Sequence, residues 1–206
     1  MTDFELLAAW GDGDRSAGDQ LFNRHFESLY GFFRRKVANR QTTEDLVQTT
    51  FLACVEGRDK FRGTSSFRTY LFAVARHKLL DHWRRRSNGH DVDFSVSSLH
   101  ELSPSPRSQV GARQEQRLLL EALRRIPVDM QIAIELHYWE GMSGQALAEV
   151  LGIPEGTVRS RLRRAKQALE QQLAALAESE EQLRSTVSNL ETWAVSLKQL
   201  VQPAEQ

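Results

Sequence analysis

Apolar residues recur every three or four positions along most of this chain, which is the spacing of a helix with one buried face. The pattern runs through residues 3–86 and resumes at Leu118, and no segment gives a strong strand signal. The 206 residues include only 12 Gly and 5 Pro, whereas Leu, Ala, Gln, Glu and Arg are plentiful. Periodicity and composition together predict an all-α fold.

The helical pattern vanishes between Ser87 and Val110, in a Ser-rich stretch with two Pro residues. This composition is typical of a linker. A flexible chain of that length has a root-mean-square span of roughly 25–30 Å, enough to separate two domains on a large partner. The predicted division is a first helical domain at 1–86, a flexible linker at 87–110, a second helical domain at 111–172 and a C-terminal amphipathic helix at 173–206.

Charge is unevenly distributed although the formal net charge is zero. The segment Glu155–Lys166 holds five basic residues and one acid, while residues 167–206 hold six acids and two basic residues. A neutral protein with such a basic stripe can still bind nucleic acid. The single cysteine, Cys54, lies in an apolar helical run, so we expect it to be buried. The chain lacks a signal-peptide pattern and any apolar run near the ~20 residues of a membrane helix, so we expect a cytoplasmic protein without membrane contact.

A tight turn at Gly152–Pro154 separates two helical stretches, SGQALAEVLG and EGTVRSRLRRAKQAL. Ser143 is a good N-cap for the first helix, and Gly and Pro are favoured where one helix ends and the next begins. The second helix carries an apolar stripe and a basic stripe: Val158, Leu162, Ala165 and Leu169, then Arg159, Arg163 and Lys166 one position later. These adjoining faces suit the reading helix of a helix-turn-helix in the DNA major groove. The alternative is a solvated basic helix in an ordinary bundle.

Two parts of the chain resemble the extracytoplasmic-function, or group four, sigma factors. LRRIPVDMQIAIELHYWEGMSGQALAEVLG and GIPEGTVRSRLRRAKQAL resemble region four, and TTEDLVQTTFLACVEGRDKFRGTSSFRTYLFAVARHKLLDHWRRR resembles region two. The resemblance implies a promoter-specific transcription initiation factor that has no catalytic activity, metal or cofactor. Its implied partners are promoter DNA and core RNA polymerase, through the largest-subunit coiled coil and the flap, with an anti-sigma factor as a further candidate. The rival interpretation is a conventional helix-turn-helix regulator that dimerises through its C-terminal helix.

The resemblance places polymerase binding on the helix that contains the acidic pair. In the family this surface binds the polymerase coiled coil, and the corresponding residues here are Glu44, Asp45, Gln48 and Phe51. The alternative is that the two acids only complement the positive end of their helix.

The aromatic residues of the segment from Phe61 to Trp83 are interleaved with cations, which suits single-stranded DNA. In the family this segment opens the minus-ten element and captures an extruded base in the loop that corresponds to Arg62–Ser66. The implied minus-ten residues are Arg62, Ser65, Ser66, Phe67, Arg68, Tyr70, Arg76, His77, Trp83 and Arg84. The alternative is that most of these aromatic side chains are core, above all Phe72 and Tyr70.

The reading helix is implied to contact the minus-thirty-five element. The residues concerned are Glu155, Thr157, Arg159, Ser160, Arg161, Arg163 and Arg164. We expect Arg159 and Arg163, with Thr157 and Ser160, to face base edges, and Arg161 and Arg164 to face phosphates.

Two features depart from the family pattern. Thr42 and Thr49 occupy positions where the family usually has acids, which reduces the negative charge of the polymerase-binding surface. Phosphorylation by a Ser/Thr kinase would restore that charge, and the alternative, which we favour, is a neutral change.

The second departure is a heptad seam after the reading helix, with apolar residues at alternating steps of four and three and one charged interruption. The seam consists of Leu169, Leu173, Leu176, Glu180, Leu183, Val187, Leu190, Ala194, Leu197 and Val201. Either a second copy or the protein's own domains must cover it, and we expect the helix to fold back.

Overall fold

The computed structural model describes residues 1–37, 39–58, 65–87, 92–102 and 114–177. These ranges contain only helices and an isolated antiparallel bridge between Ser98 and Pro127, which confirms the predicted all-α fold. The chain divides into two compact units, the first comprising Met1–His82 and the second beginning at Trp83. In the part of the chain that the structure describes, no helix combines the length and apolar character needed to cross a bilayer.

The first unit is built from α1, α2, α3 and most of α4, and these helices span Asp3–Gly11, Arg15–Arg34, Arg40–Glu56 and Phe67–Arg86. The last turn of α4, from Trp83, belongs to the second unit. Each of the first three helices begins at a side-chain cap, because Thr2, Asp14 and Asn39 accept hydrogen bonds from the amide groups of the first turn. The core is strongly aromatic, with Phe32 and Phe72 in edge-to-face contact at 5.5 Å.

Cys54 lies in this core, as expected from its apolar surroundings in the sequence. Burial raises the pKa of its thiol to about 12. The side chain therefore stays protonated at neutral pH and is a small apolar residue, not a reactive thiol.

The second unit contains α5, α6, α7, α8 and α9, which span Leu99–Leu102, Gln114–Arg125, Val128–Ile134, Gly144–Leu151 and Glu155–Leu176. A π-helical turn, Glu135–Trp139, follows α7 directly. The core forms where α6 packs against the C-terminal half of α9, and it includes Leu119, Leu123, Ala165, Leu169 and Leu173.

The predicted flexible linker needs correction at residues 92–102, which we call the strap. Phe94 and Leu99 of the strap are buried, and its carbonyl groups cap α7. The amide of Val128 donates to the Ser97 carbonyl at 3.0 Å, and the amide of Asp129 donates to the Phe94 carbonyl at 3.1 Å. The amide groups at the start of α7 have no acceptor within that helix, and the side chain of its N-cap residue, Pro127, cannot accept a hydrogen bond. The carbonyl groups of the strap are the acceptors instead. The strap is therefore part of the second unit.

The C-terminal boundary also differs from the prediction. Helix α9 continues to Leu176, and Ala177 has an extended backbone conformation. The first seam positions, Leu169 and Leu173, are covered by α6 of the same chain. The remainder of the predicted C-terminal helix, residues 178–206, lies outside the described residues.

Candidate polymerase-binding and DNA-binding surfaces

The predicted helix-turn-helix is formed by α8, the turn at Gly152–Pro154 and α9. Ser143 accepts a hydrogen bond from the Ala146 amide at 3.2 Å, which starts α8 as predicted. Gly152 ends α8 with φ +65°, a left-handed conformation that glycine adopts without the penalty of a Cβ atom. The chain then turns through Pro154 into α9.

Helix α9 keeps its apolar and basic residues on different sides. Val158 and Ala165 are completely buried, whereas Leu162 is only half-buried. Most of the implied contact residues face solvent: Glu155, Arg159, Arg163 and Arg164 are exposed, and Thr157 and Ser160 are half-buried. Within the described ranges, the side chains of Arg159 and Arg163 form no hydrogen bond or ion pair, so both guanidinium groups are available to a ligand.

Arg161 differs from its neighbours because it points towards α7. Its Nη1 lies 3.3 Å from Oδ2 of Asp129, and the two side chains are only 17% and 13% exposed. In this structure the Arg161 guanidinium group is therefore engaged by Asp129, and its predicted phosphate contact stays a prediction. Arg161 lies three residues after the buried Val158, which places it at the edge of the buried face.

The implied minus-ten residues on α4 divide into buried and accessible groups. Phe67 is 1% exposed and Trp83 is 2% exposed, so neither ring offers a face on which a base can stack. The core alternative therefore applies to these two residues and to Phe72, which is also buried. Arg62 lies outside the described residues.

The accessible residues of this set form one face of α4. Tyr70 is half-buried and His77 and Arg84 are exposed, and spacings of seven residues place all three side chains on the same side of the helix. The guanidinium carbon of Arg84 lies 5.4 Å from the centre of the Phe94 ring. Other members of the set are Ser66, which is exposed, and Ser65, Arg68 and Arg76, which are half-buried.

The acidic pair on α3 is accessible and lies in an ordered arrangement. Arg40 Nε donates to Glu44 Oε1 at 2.6 Å, and Gln41 Nε2 donates to Asp45 Oδ1 at 2.9 Å. Both contacts join residues one helical turn apart, so they orient the carboxylates without burying them. Asp45 and its neighbour Gln48 are exposed.

Phe51 does not belong to the accessible surface. It is 2% exposed, and its ring lies 5.0 Å from Phe22 and 6.4 Å from Trp10. The expectation that Phe51 touches a partner is therefore corrected, because the side chain supports the surface from below.

An open depression of about 470 Å³ lies between α2 and α3, and we call it the aromatic depression. The residues that line it are Phe22, Phe26, Gln41, Glu44, Asp45, Val47 and Gln48. Phe22 and Phe26 stack at 4.9 Å between ring centres and are only partly buried. In the sequence their spacing of four residues is that of any amphipathic helix, so the pattern alone does not distinguish a partly exposed ring from a buried one.

The two threonines on α3 differ in their environment. The Thr42 amide donates to Oδ1 of Asn39 at 2.7 Å, so Thr42 is part of the helix cap. Thr49 is exposed, and its hydroxyl donates to the Asp45 carbonyl at 2.8 Å.

Models of two protein families match the chain, one on each side of the strap. Sigma-70 region 2 matches residues 21–89, and Sigma-70, region 4, matches residues 116–169. The first match contains α3 and α4, and the second contains the helix-turn-helix.

Curated relatives are similar over nearly their whole length. The ECF RNA polymerase sigma-E factor of Haemophilus influenzae is 28% identical over 185 residues, which cover 85% of this chain and 97% of the relative. The RNA polymerase sigma-H factor of Pseudomonas aeruginosa is 28% identical over 184 residues, which cover 84% and 95%.

Two solved structures have a similar fold, each at 25% sequence identity. The structure of CnrH in complex with the cytosolic domain of CnrY matches with a TM-score of 0.55, covering 85% of this chain and 99% of that chain. The sigma factor RpoE in complex with the anti-sigma factor NepR from Bartonella quintana matches with a TM-score of 0.57, covering 76% and 96%.

Proposed function

Because this chain belongs to the extracytoplasmic-function group of sigma-70 factors, and is therefore a promoter-directing transcription initiation factor, we propose that its separate surfaces divide that task. The presence of both regions disfavours a conventional dimeric regulator, since such a regulator needs a helix-turn-helix but has no use for region 2. The observation that carries the proposal is that each matched region presents an accessible surface of fitting chemistry.

The aromatic depression and the acids beside it form the proposed surface for core polymerase. The exposed parts of Phe22 and Phe26 offer an apolar contact, and Glu44 and Asp45 add negative charge at its edge. A partner helix with an apolar residue flanked by cations would fit this combination. The coiled coil of the largest polymerase subunit is the partner that the family resemblance implies.

The outward face of α9 is the proposed reader of the minus-thirty-five element. Arg159 and Arg163 lie one helical turn apart and are exposed, so both can reach base edges in the major groove. Arg164 remains a phosphate contact in this proposal, whereas Arg161 becomes a structural residue through its ion pair with Asp129.

The accessible face of α4 is the proposed minus-ten surface, together with the residues that precede the helix. Tyr70, His77 and Arg84 can line a path for a single strand, with the tyrosine ring for stacking, the arginine for phosphate and the imidazole for a hydrogen bond. Ser65 and Ser66 lie at the start of this path.

The remaining parts of the proposal follow from membership of the group. We infer that the protein acts in the cytoplasm, has no catalytic group of its own and uses neither metal nor cofactor. Both similar solved structures are complexes, one of CnrH with the cytosolic domain of CnrY and one of RpoE with the anti-sigma factor NepR. We accordingly propose that an anti-sigma factor is also a partner of this chain.

Run-off transcription with purified core polymerase tests the proposal. We expect a promoter-specific transcript from core polymerase plus this protein, and none from core polymerase alone.

Asp45→Arg should lower core affinity at least roughly tenfold, because it replaces a favourable charge with a repulsive one at the binding surface. Glu27→Arg is the matched control, since Glu27 is an exposed acid on α2 that lies off the face of Phe22 and Phe26.

Two outcomes would contradict this assignment. A wild-type protein that binds promoter DNA alone but starts no transcription with core polymerase would support the conventional regulator. Equal loss of affinity in folded Asp45→Arg and Glu27→Arg would show that the effect of Asp45 is one of net charge and not of position.

A further inference from the structure

The first turn of α4 fixes the position of Ser66, and Ser65 is its neighbour in the chain. Ser66 Oγ accepts a hydrogen bond from the Thr69 amide at 3.1 Å and lies 2.9 Å from Thr69 Oγ1. The Ser66 carbonyl accepts from the Tyr70 amide at 3.1 Å. Ser66 is thus the cap of α4, and any shift of this helix end moves Ser65 and Ser66 with it.

Phe67, the first residue of α4, anchors this helix end in the core. Its ring meets Phe4 of α1 edge-on at 6.1 Å and 90°, and lies 5.3 Å from the His25 ring of α2. Tyr70 contributes a further edge contact at 6.4 Å. Aromatic contacts of this kind have preferred geometries, so they hold a ring in place better than aliphatic packing does.

Asp3 in turn holds the histidine ring. Its Oδ2 lies 2.7 Å from Nε2 of His25, and its Oδ1 accepts from Nη1 of Arg24 at 3.0 Å. Burial opposes ionisation of Asp3, but hydrogen bonds from Arg24 and His25 outweigh it and lower the pKa of the carboxyl group. The carboxylate is therefore charged at neutral pH and binds two residues of α2 at once.

Helix α1 lies outside the segment matched to Sigma-70 region 2, which begins at residue 21. Its start is fixed by a reciprocal cap, in which Thr2 accepts from the Glu5 amide and Glu5 accepts from the Thr2 amide. Asp3 and Phe4 follow this cap directly, so α1 delivers both side chains to Phe67 and His25 from a defined position.

We propose that Asp3, Phe4 and His25 are positioning residues for minus-ten recognition, since they seat Phe67 and thereby place Ser65 and Ser66 against the DNA. The inference rests on the proposed role of these serines in the minus-ten surface. It gives α1 a function in promoter selectivity that neither its sequence nor the family match assigns. None of the three positioning residues needs to touch DNA.

The test measures base preference in the minus-ten element with the full-length chain and core polymerase. Opening of a promoter that carries 2-aminopurine in this element is followed by fluorescence, and the ratio of opening rates is taken between the preferred sequence and single-base substitutions. Partial unfolding lowers all opening rates by one factor and leaves the ratio unchanged. Misplacement of Ser65 and Ser66 lowers the ratio itself.

Phe4→Ala removes the ring that Phe67 meets edge-on, and Asp3→Ala removes the carboxylate that holds the His25 ring. We expect each change to reduce this ratio roughly tenfold, which corresponds to about 1.4 kcal/mol. Core affinity and binding to an isolated minus-thirty-five duplex should stay at the wild-type level. Phe4→Leu keeps apolar bulk without the ring edge and should give an intermediate ratio, while Phe4→Tyr should restore it. Asp12→Ala is the control, because Asp12 adjoins the other end of α1 and its side chain is 79% exposed.

A wild-type ratio in Phe4→Ala, Phe4→Leu and Asp3→Ala would overturn the inference. So would a reduction in Asp12→Ala as large as that in Asp3→Ala. If the wild-type protein starts transcription and Ser65→Ala leaves its base preference in the minus-ten element unchanged, the minus-ten assignment fails and this inference fails with it. If the wild-type protein starts no transcription, the proposed function itself has failed.

Discussion

Helices α4 and α9 are both rich in arginine and apolar side chains, but only α9 separates the two kinds cleanly. On α9 the buried Val158 is followed by the exposed Arg159, and the same order recurs along the helix. On α4 two aromatic residues whose interleaving with cations predicts DNA contact, Phe67 and Trp83, are core. On α9 the cations other than Arg161 are exposed, because burying a charge is costly, whereas an aromatic ring is compatible with either environment. The following changes test this difference.

The largest expected effect is on the stability of α4. Trp83→Ala should lower the free energy of unfolding by about 3–5 kcal/mol, because it removes a buried indole and leaves a cavity. His77→Ala on the exposed side of the same helix should change it by no more than about 0.5 kcal/mol. Denaturant unfolding followed by circular dichroism measures both. Similar values for the two variants would remove the distinction between core and DNA-facing residues on α4.

The next largest effect is on the free energy of unfolding, which should differ between alanine variants of Arg161 and Arg163 on α9. Arg161→Ala should destabilise the fold by about 1.5–3 kcal/mol, because it removes the poorly exposed ion pair that Arg161 forms with the Asp129 carboxylate. Arg163→Ala should be neutral within about 0.5 kcal/mol, since its side chain is exposed. The same unfolding measurement compares them. A neutral Arg161→Ala would return this residue to the DNA-binding set.

The helix-turn-helix was the most predictable part of the molecule. Ser143, Gly152 and the stripe that begins at Val158 act through local rules of capping, backbone conformation and helical period, which a sequence displays directly. The ion pair of Arg161 could not be predicted, because the helical period alone does not say how wide the buried face is. Asp129, the residue that widens it, lies 32 positions away.

The strap and the aromatic depression depend on contacts that no local pattern displays. The buried apolar residues of the strap are Phe94 and Leu99, which stand in a serine-rich sequence. The hydrogen bonds from the strap to α7 are made by backbone carbonyl groups, which every residue type has, so the sequence gives no sign of them. Phe22 and Phe26 have the spacing of core residues, but both are only partly buried and line the aromatic depression. Phe51, by contrast, was assigned to the surface on resemblance alone.

Promoter selectivity is the property that the exposed face of α9 should control. Arg163→Ala and Arg159→Ala should each cost about 1–3 kcal/mol in discrimination at one base pair of the minus-thirty-five element, without loss of stability. The measurement is holoenzyme binding to a panel of duplexes with single base-pair substitutions. Arg164→Ala is the matched comparison and should weaken all duplexes alike, because a phosphate contact carries no base information. A uniform loss in Arg163→Ala would move that residue to the phosphate-binding set.

The smallest expected effect concerns Thr49, an exposed residue of α3 that is neither core nor charged. Its hydroxyl donates to the Asp45 carbonyl, so the side chain folds back on its own helix and presents mainly its methyl group to a partner. We expect Thr49→Ala to keep core affinity within about twofold of wild type, since a surface change without lost contacts is worth under about 0.5 kcal/mol.

Thr49→Glu adds a charge next to Asp45 and tests the phosphorylation alternative, because a phosphate there would add roughly −1.5 to −2 charges. Equal core affinity of wild type, Thr49→Ala and Thr49→Glu would show that this position tolerates loss of the family acid. A Thr49→Glu variant that binds core polymerase several-fold more tightly would instead show that the surface lacks a charge which a kinase can supply.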